Sequence, residues 1–443
     1  MKLGIVVAGK DGRHMRVGIE AIAFHSPQHY IELAELAKAR GIDPNKFTRG
    51  LGQIRMAVAT PMEDTVTLAV NAARKALENF DIDYSDIGTL VVGTESGVDH
   101  SKPVAVYVHE ALGLRSNCHT YETKHACFGA MAAVFSANDW ISCGRADGSK
   151  ALIIASDIAR YPIGDPGEPT QGAGAVAMVI SDKPNLLQFD PEISGHYTKQ
   201  VMDFWRPLYS TKAFVDGHYS IQCYLSALEG ALADALNKAT IPELYKMDQL
   251  QACIYHVPFA KMAAKAHHRH FEMDSGERID KESERFADVK RSFAERTGPW
   301  LSLNAVVGNI YTGSLFLSLI DLLRSSTTAD IRQISMFAYG SGCAASMNIA
   351  YPTPGFVRFR DQIDPEPELN ERRKLSIDEY EHIMRVSDSL GTGDTKELHP
   401  GDWDLTGDFF YLGNRNHVRQ YSGLQSGSSQ ARQSDLISVS AHH

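Results

Sequence analysis

Unbroken apolar runs alternate along this chain with stretches whose apolar positions recur at helical spacing. The runs at 17–24, 89–93, 151–156, 174–180, 250–255 and 333–338 are short and rich in Val, Ile and Leu, which predicts strands. They lack polar alternation, so each strand is expected to be covered on both faces, as in a layered α/β protein. Helical spacing marks 30–40, 65–79, 104–113, 128–142, 220–239 and 310–323. Several of these helices are rich in Ala and Gly, whose small side chains allow close packing between sheets. The pattern changes from about residue 361. Residues 368–386 read as one charged helical stretch, followed by a Gly/Asp-rich segment and FFYLGNRNHVRQY. Beyond Gly423 the chain is Ser/Gln-rich and reads as disordered.

The pattern also repeats. In the first half, TLVVGT leads to Glu95, a helix follows Cys127, and the strand ALIIAS begins about 24 residues after the cysteine. In the second half, ACIY leads to His256, a helix follows Asn309, and QISMFAYGSG begins about 24 residues after the asparagine. Duplicated halves place equivalent strand ends around one cleft. Glu95, Cys127, His256 and Asn309 are therefore expected to converge.

Composition narrows the partners. Hydrophobic residues make up 43% and charged residues 22%, ordinary for a globular protein. A net charge of −10 offers no basic face to nucleic acid, and no apolar run is long enough to cross a bilayer. Residues 1–14 read as a leader or a cloning scar, with Met15 as the natural start. Six cysteines without CxxC or metal-ligand spacing suggest a reducing cytoplasm. No metal is expected. The pairs His267-His268 and His442-His443 lack further ligands and fit a solvated surface.

Three positions carry candidate chemistry, each with a plainer alternative. Cys127 in YETKHACFGAMAA stands where a polar strand-like segment meets a small-residue helix. Helix dipole and unpaired N–H groups there favour the thiolate; a buried cysteine is as often a small apolar packing residue. Glu95 directly follows a buried strand. Burial raises a carboxyl pKa and suits it to proton transfer, whereas a rim glutamate would simply pair with a lysine. His256 ends a strand, with Pro258 turning the chain, and is either functional or a core histidine satisfied by backbone. Lys261 and Lys265, one turn apart, are either solvated or a grip for phosphates of a long anionic substrate. The Gly-rich runs QGAGA (171–175) and YGSG (339–342) suggest close backbone approach and exposed N–H donors. Neither fits a nucleotide-binding fingerprint.

With GLGQIRMAV, GTESGVDHSK, KHACFGA, IIASDIARY, GEPTQGAGAVAM, VMDFWRP, VDGHYSIQCYLSAL, YHVPFAKM, GNIYTGS and FAYGSG in order, the chain resembles the 3-hydroxy-3-methylglutaryl-CoA synthases from about Arg16 to about Tyr421. These are condensing enzymes of the thiolase superfamily. The resemblance implies a thiolase fold, two duplicated βαβ-type halves in a layered αβαβα arrangement. It implies an N-terminal half at 15–185 holding the nucleophile and a C-terminal half at 186–360 holding His256 and Asn309. An extension at 361–423 would pack on the core, before the tail 424–443. It implies Cys127 as the acetyl-accepting nucleophile, Glu95 as general acid/base and His256 as activator of the acetoacetyl thioester. Tyr161, Thr170 and Asn309 would lie near substrate, with Asp157 and Asp203 in support. The Ser341 N–H would join that of Cys127 in an oxyanion hole, and Lys261 and Lys265 would meet coenzyme A. Substrates would be acetyl-CoA and acetoacetyl-CoA, with no further cofactor, in a cytoplasmic homodimer that supplies the mevalonate pathway.

The chain departs from the family at His125, where Glu or Gln is commoner, at Phe128 and Met131 in CFGAM, and at Gly313. These changes bear on acyl choice. Two related activities draw on all or some of these residues. One is β-branching in polyketide pathways, with acyl groups on an acyl carrier protein. The other is decarboxylative condensation of the ketoacyl synthase III kind, which needs no Glu95 and leaves 184–220 unexplained. A catalytically dead structural subunit would be expected to have lost the nucleophile or base.

Overall fold

The computed structural model describes residues 16–210, 212–326, 331–390 and 397–423. The expected leader, Met15, the Ser/Gln-rich tail and the His442-His443 pair lie outside the described residues.

Nine strands form one sheet in the order β11-β12-β13-β8-β1-β7-β6-β4-β5. They are β1 (Gly18–His25), β4 (Ile87–Gly93), β5 (His119–Thr123), β6 (Lys150–Ala159), β7 (Gly172–Ser181), β8 (Leu187–Thr198), β11 (Ala252–Tyr255), β12 (Ile334–Gly340) and β13 (Ala344–Pro352). The seam is thin, because β1 meets β8 only at Gly18↔Gln188 and Ile19↔Leu187. On either side of it the same plan appears. β4 and β6 run parallel, β6 and β7 antiparallel, β7 and β1 antiparallel. β11 and β12, β12 and β13, and β13 and β8 repeat those directions. Without its edge strand β5, the first half has the order and directions of the second.

Alternating side chains divide the interior into three cores, because successive residues of a strand face opposite ways. Val91, Ile153, Val176 and Met178 face a central core together with Ile254, Ile334 and Met336 from the other half. That core is filled by α4 (Gly129–Ser142) and α9 (Ser314–Ser325). Leu90, Leu152, Ile154 and Ala177 face α2 (Thr65–Asn79) and α3 (Val104–Ala111). Cys253, Tyr255, Phe337 and Met347 face α5 (Gly217–Lys238) and α6 (Ala260–Ser275). The result is five layers, αβαβα. Each wholly buried Leu or Ile on these faces contributes about 1.5–3 kcal/mol.

Four smaller helices complete the second half and its edge: α7 (Phe286–Arg296), α8 (Ser302–Val307), α10 (Arg360–Ile363) and α11 (Glu366–Glu371). The C-terminal segment then returns to the first half. β14 (Arg373–Lys374) pairs with β2 (His29–Glu32), which pairs with β3 (Arg55–Val58). Helix α12 (Ile377–Ser389), started by a Ser376/Glu379 capping box, packs with α1 (Leu33–Ala39) through Leu36, Tyr380 and Ile383. Two hairpins complete the described chain, β9 (Phe204–Trp205) with β10 (Phe214–Val215), and β15 (Tyr411–Arg415) with β16 (Val418–Tyr421).

Several sequence expectations change. The helix expected over 30–40 opens as β2 and becomes helical only at Leu33, because the β-sheet edge claims His29–Glu32. The charged stretch 368–386 is not one helix; it breaks into α11, β14 and α12, where Arg373 and Lys374 pair with β2. The helix expected from 310 begins at Ser314, after a 3-10 turn. His267 is fully buried rather than solvated, held between Thr297 Oγ1 and Ser292 Oγ. The QGAGA run does approach other backbone closely, but residues 172–175 lie in β7, paired with β1 and β6, and the Gln171 N–H donates to the Glu168 carbonyl (3.2 Å).

Candidate active site

The chain reaches Cys127 through a tight loop. β5 ends at Thr123, Ala126 takes a left-handed conformation (φ 39°), and α4 begins two residues after the cysteine. Two glycines allow this loop to sit where it does. A Cβ at Gly93, the end of β4, would lie 2.4 Å from the Ala130 nitrogen. One at Gly340, the end of β12, would lie 2.5 Å from the His125 carbonyl oxygen and 2.7 Å from the Phe128 nitrogen. The nucleophile loop is thus clamped between one strand end from each half.

The Cys127 thiol points at Glu95, with Sγ donating to Oε1 at 3.4 Å. Burial, with Asp157 nearby, raises the Glu95 carboxyl to about 8. Burial and the adjacent carboxylates, Glu95 first, push the Cys127 thiol well above its ordinary value. This overturns the expectation of a helix-stabilised thiolate. Desolvation and like charge outweigh the helix end here, and the resting group is a thiol.

Asp157, wholly buried in β6, joins the halves. Its Oδ1 accepts from Thr94 Oγ1 (2.9 Å), the Glu95 N–H (2.9 Å) and the Ser96 N–H (3.0 Å). Its Oδ2 accepts from Thr312 Oγ1 (2.8 Å) and the Thr312 N–H (3.1 Å), in the turn that starts α9. Three residues earlier, Asn309 Oδ1 accepts from the Tyr311 N–H and Ser314 Oγ, both at 2.9 Å. The Asn309 N–H donates to the Thr170 carbonyl (3.3 Å), which places the GEPTQ loop against Asn309. Tyr161, buried, shares a side-chain hydrogen bond with Tyr311, and its phenol is held un-ionised by burial and by Glu95 and Cys127.

His256 follows β11 and donates its N–H to the Phe337 carbonyl (2.8 Å) on β12. Its ring lies beside Tyr224 and Tyr339, and its buried Nδ1 has no partner. Burial lowers its pKa to about 3, so it is neutral across the working pH range. It makes no hydrogen bond to Cys127 or Glu95; its links are to Phe337 and Tyr339 on the neighbouring strand β12. Tyr339 donates to Asp203 Oδ2 (2.6 Å), while Asp203 Oδ1 accepts from the Gly342 N–H (3.0 Å). Asp203 therefore fixes the YGSG turn carrying Ser341, whose backbone also hydrogen-bonds the His125 ring.

Lys261 and Lys265 stand exposed on the first turns of α6. Gly52 packs beside them, with a hypothetical Cβ 3.1 Å from Ala260 Cβ. A cavity of about 630 Å³ opens on Glu95, lined also by Ser96, Lys124, Arg160 and Arg206. A larger one, about 800 Å³, lies at the opposite strand ends, by Gln188, Gln333 and Pro352, away from this chemistry. Among the described residues, no group of His, Cys, Asp or Glu could hold a metal ion. Nor is any helix there long and apolar enough to cross a membrane. Sequence reading missed Arg206, whose guanidinium holds the Glu95 carbonyl, and Thr312, the partner of Asp157. Both stand in motifs already noticed, VMDFWRP and GNIYTGS. Only the fold shows which side chains of a motif meet the site.

Known proteins resemble this chain along most of its length. Residues 13–185 match the family described as hydroxymethylglutaryl-coenzyme A synthase N terminal. Residues 187–295 and 279–422 match its C-terminal counterpart. A hydroxymethylglutaryl-CoA synthase of Enterococcus faecalis is 36% identical over 371 residues, 84% of this chain and 92% of that protein. A polyketide-biosynthesis 3-hydroxy-3-methylglutaryl-ACP synthase of Bacillus subtilis is 33% identical over 400 residues, 87% of this chain and 93% of that protein. Among solved structures, MvaS in complex with 3-hydroxy-3-methylglutaryl coenzyme A superposes with a TM-score of 0.85 at 41% identity, covering 92% of this chain and 99% of that one. The HMG synthase of the curacin pathway gives 0.83 at 32% identity, with the same coverage. This chain belongs to the hydroxymethylglutaryl-CoA synthase family.

Proposed function

We propose that this enzyme condenses acetyl-CoA with acetoacetyl-CoA through an acetyl-cysteine. Cys127 sulfur attacks the acetyl carbonyl, coenzyme A leaves, and the thiol proton passes to the departing sulfur. Glu95, ionised, takes a methyl proton from the acetyl group. The resulting enolate carbon attacks the ketone of acetoacetyl-CoA, and the proton on Glu95 returns to the new alkoxide. Water then cleaves the Cys127 thioester: its oxygen completes the new terminal carboxylate of HMG-CoA, one proton goes to the Cys127 thiol and the other is released to solvent. The N–H groups of Cys127 and Ser341 hold the thioester oxygen. His256 and Asn309 face the second substrate. A neutral imidazole donates one hydrogen bond without bringing a full charge.

The observation that carries this reading is the 3.4 Å contact between thiol and carboxyl at the junction of the two halves. Decarboxylative chemistry gives Glu95 no task. Coenzyme A as carrier is supported by the exposed Lys261 and Lys265 beside the Gly52 loop. A homodimer and cytoplasmic action complete the reading. β5, paired on one side only, is an edge strand suited to pairing with a second copy. The test is intact-mass detection of an acetyl adduct on Cys127 from acetyl-CoA and, in parallel, from an acetylated carrier protein. Rapid labelling from the carrier protein alone would replace this reading with polyketide β-branching.

A further inference from the structure

The loop carrying Tyr161 and Thr170 is held from outside the thiolase core. Two of its residues, Glu168 and Gln171, reach the C-terminal extension. Gln171, 3% exposed, accepts the Tyr161 N–H on Oε1 and donates from Nε2 to the Tyr380 hydroxyl (2.9 Å). That hydroxyl donates in turn to Glu168 Oε1 (3.1 Å). Glu168, 1% exposed, accepts the Gly164 N–H (2.9 Å) and takes both Nε and Nη2 of Arg40, each at 2.9 Å. Arg40 Nη1 continues to Glu381, on α12 beside Tyr380, at 2.7 Å. The far side of the loop presses on the second half. A Cβ at Gly308 would lie 2.0 Å from the Gln171 carbonyl oxygen, and one at Gly172 would lie 2.7 Å from the Asn309 nitrogen.

We propose that α12 positions the active site. Tyr380, through Gln171 and Glu168, sets the placement of Tyr161 and Asn309, which makes Tyr380 a positioning residue for the condensation. The inference rests on the reaction read above, and gives the C-terminal extension a part in it. The chemistry favours a rigid tie over loose packing. The Tyr380 hydroxyl is fully buried and uses both its donor and an acceptor position, and its carboxylate partner is locked by a bidentate arginine. Tyr380, Gln171 and Glu168 make no hydrogen bond to Cys127 or Glu95, so cutting the tie leaves the reacting groups in place and displaces the side chains that face the substrate.

Tyr380→Phe removes the hydroxyl and keeps the ring. Hydrogen exchange followed by mass spectrometry should show peptides over 160–171 exchanging at least ~10-fold faster, with α4 peptides unchanged. The condensation kcat should fall about 10–100-fold, with KM for the acetyl donor held within about two-fold. In a cycle with Tyr161→Phe the two losses should overlap, the second variant adding little to the first. Glu381→Gln, at the surface end of the tie, should accelerate exchange in the same loop more weakly, and serves if Tyr380→Phe does not fold. Unchanged exchange over 160–171, or losses that multiply in the double variant, overturns the proposal. An unsubstituted protein that makes no HMG-CoA counts against the assigned reaction instead, and leaves the exchange result standing.

Discussion

The ends of β4 and β11 are equivalent places in the two halves, yet they present opposite chemistry. After β4 stands a carboxyl raised to about 8; after β11 stands an imidazole lowered to about 3. One cause acts on both, because burial opposes charge of either sign. Both strand ends are therefore close to neutral at rest: a carboxylic acid beside a thiol at one, an uncharged imidazole at the other. Charge appears only as substrate atoms move, which is when fixed N–H donors and dipoles are worth most. The duplicated fold supplied two equivalent strand ends, and one side chain at each decided its task.

Substituting each end in turn tests this division of labour most severely. Glu95→Gln should leave acetylation of Cys127 intact and slow condensation about 10²–10⁴-fold, measured by single-turnover quench. Normal condensation in that variant would remove Glu95 as the base. His256→Ala should also leave acetylation intact, but its loss, about 10²-fold, should appear in capture of acetoacetyl-CoA. If both variants fail at acetylation, the two strand ends do not divide the work as described.

Acidity sharpens the contrast. Condensation by the acetyl-enzyme should rise with pH through about 8 as Glu95 ionises. No histidine limb should appear between pH 5 and 9, since His256 stays neutral there. Stability should show opposite signs at the two ends. Glu95 holds its proton more tightly folded than unfolded, so it costs stability as pH rises from the ordinary glutamate value, 4.5, towards 8. His256 binds its proton less tightly folded, so it costs stability as pH falls from 6.5 towards 3. Denaturant titrations of Glu95→Gln and His256→Gln should flatten the alkaline and acid declines respectively. Identical curves for variant and parent would mean that these groups are better solvated than their burial indicates.

This physics also explains what could be read from the sequence. Buried strands announce themselves by unbroken apolar runs, and the repeat of strand, polar residue and helix foretold the pairing of Glu95 with Cys127 across 3.4 Å. The thiol's protonation state was misread because a helix start is visible in sequence, whereas the carboxyls of Glu95 and Asp157 packed against it are not. Strands β8 and β13 were missed because polar residues interrupt them: Asp190 and His196 in one, Ser346 and Asn348 in the other. Arg373 and Lys374 read as helix because their charge fits an exposed helical face, while their pairing with β2 depends on a partner some 340 residues away. Local pattern reports burial; it does not report which distant polar atom will meet a given one.

The smallest effect belongs to the exposed end of the second half. Lys261 and Lys265 lie in solvent on α6, so each should contribute as a surface charge does, weakly and in proportion to salt screening. Lys261→Ala should raise KM for acetyl-CoA about 3–10-fold, leave kcat unchanged, and lose most of that difference at high ionic strength. Acetyl-pantetheine carries the same reacting thioester without the nucleotide phosphates. Its KM should be the same for Lys261→Ala, Lys265→Ala and the parent. An equal penalty for both donors would place the lysines in the pantetheine path or the fold, and would erase the distinction between a buried end that performs chemistry and an exposed end that only attracts the carrier.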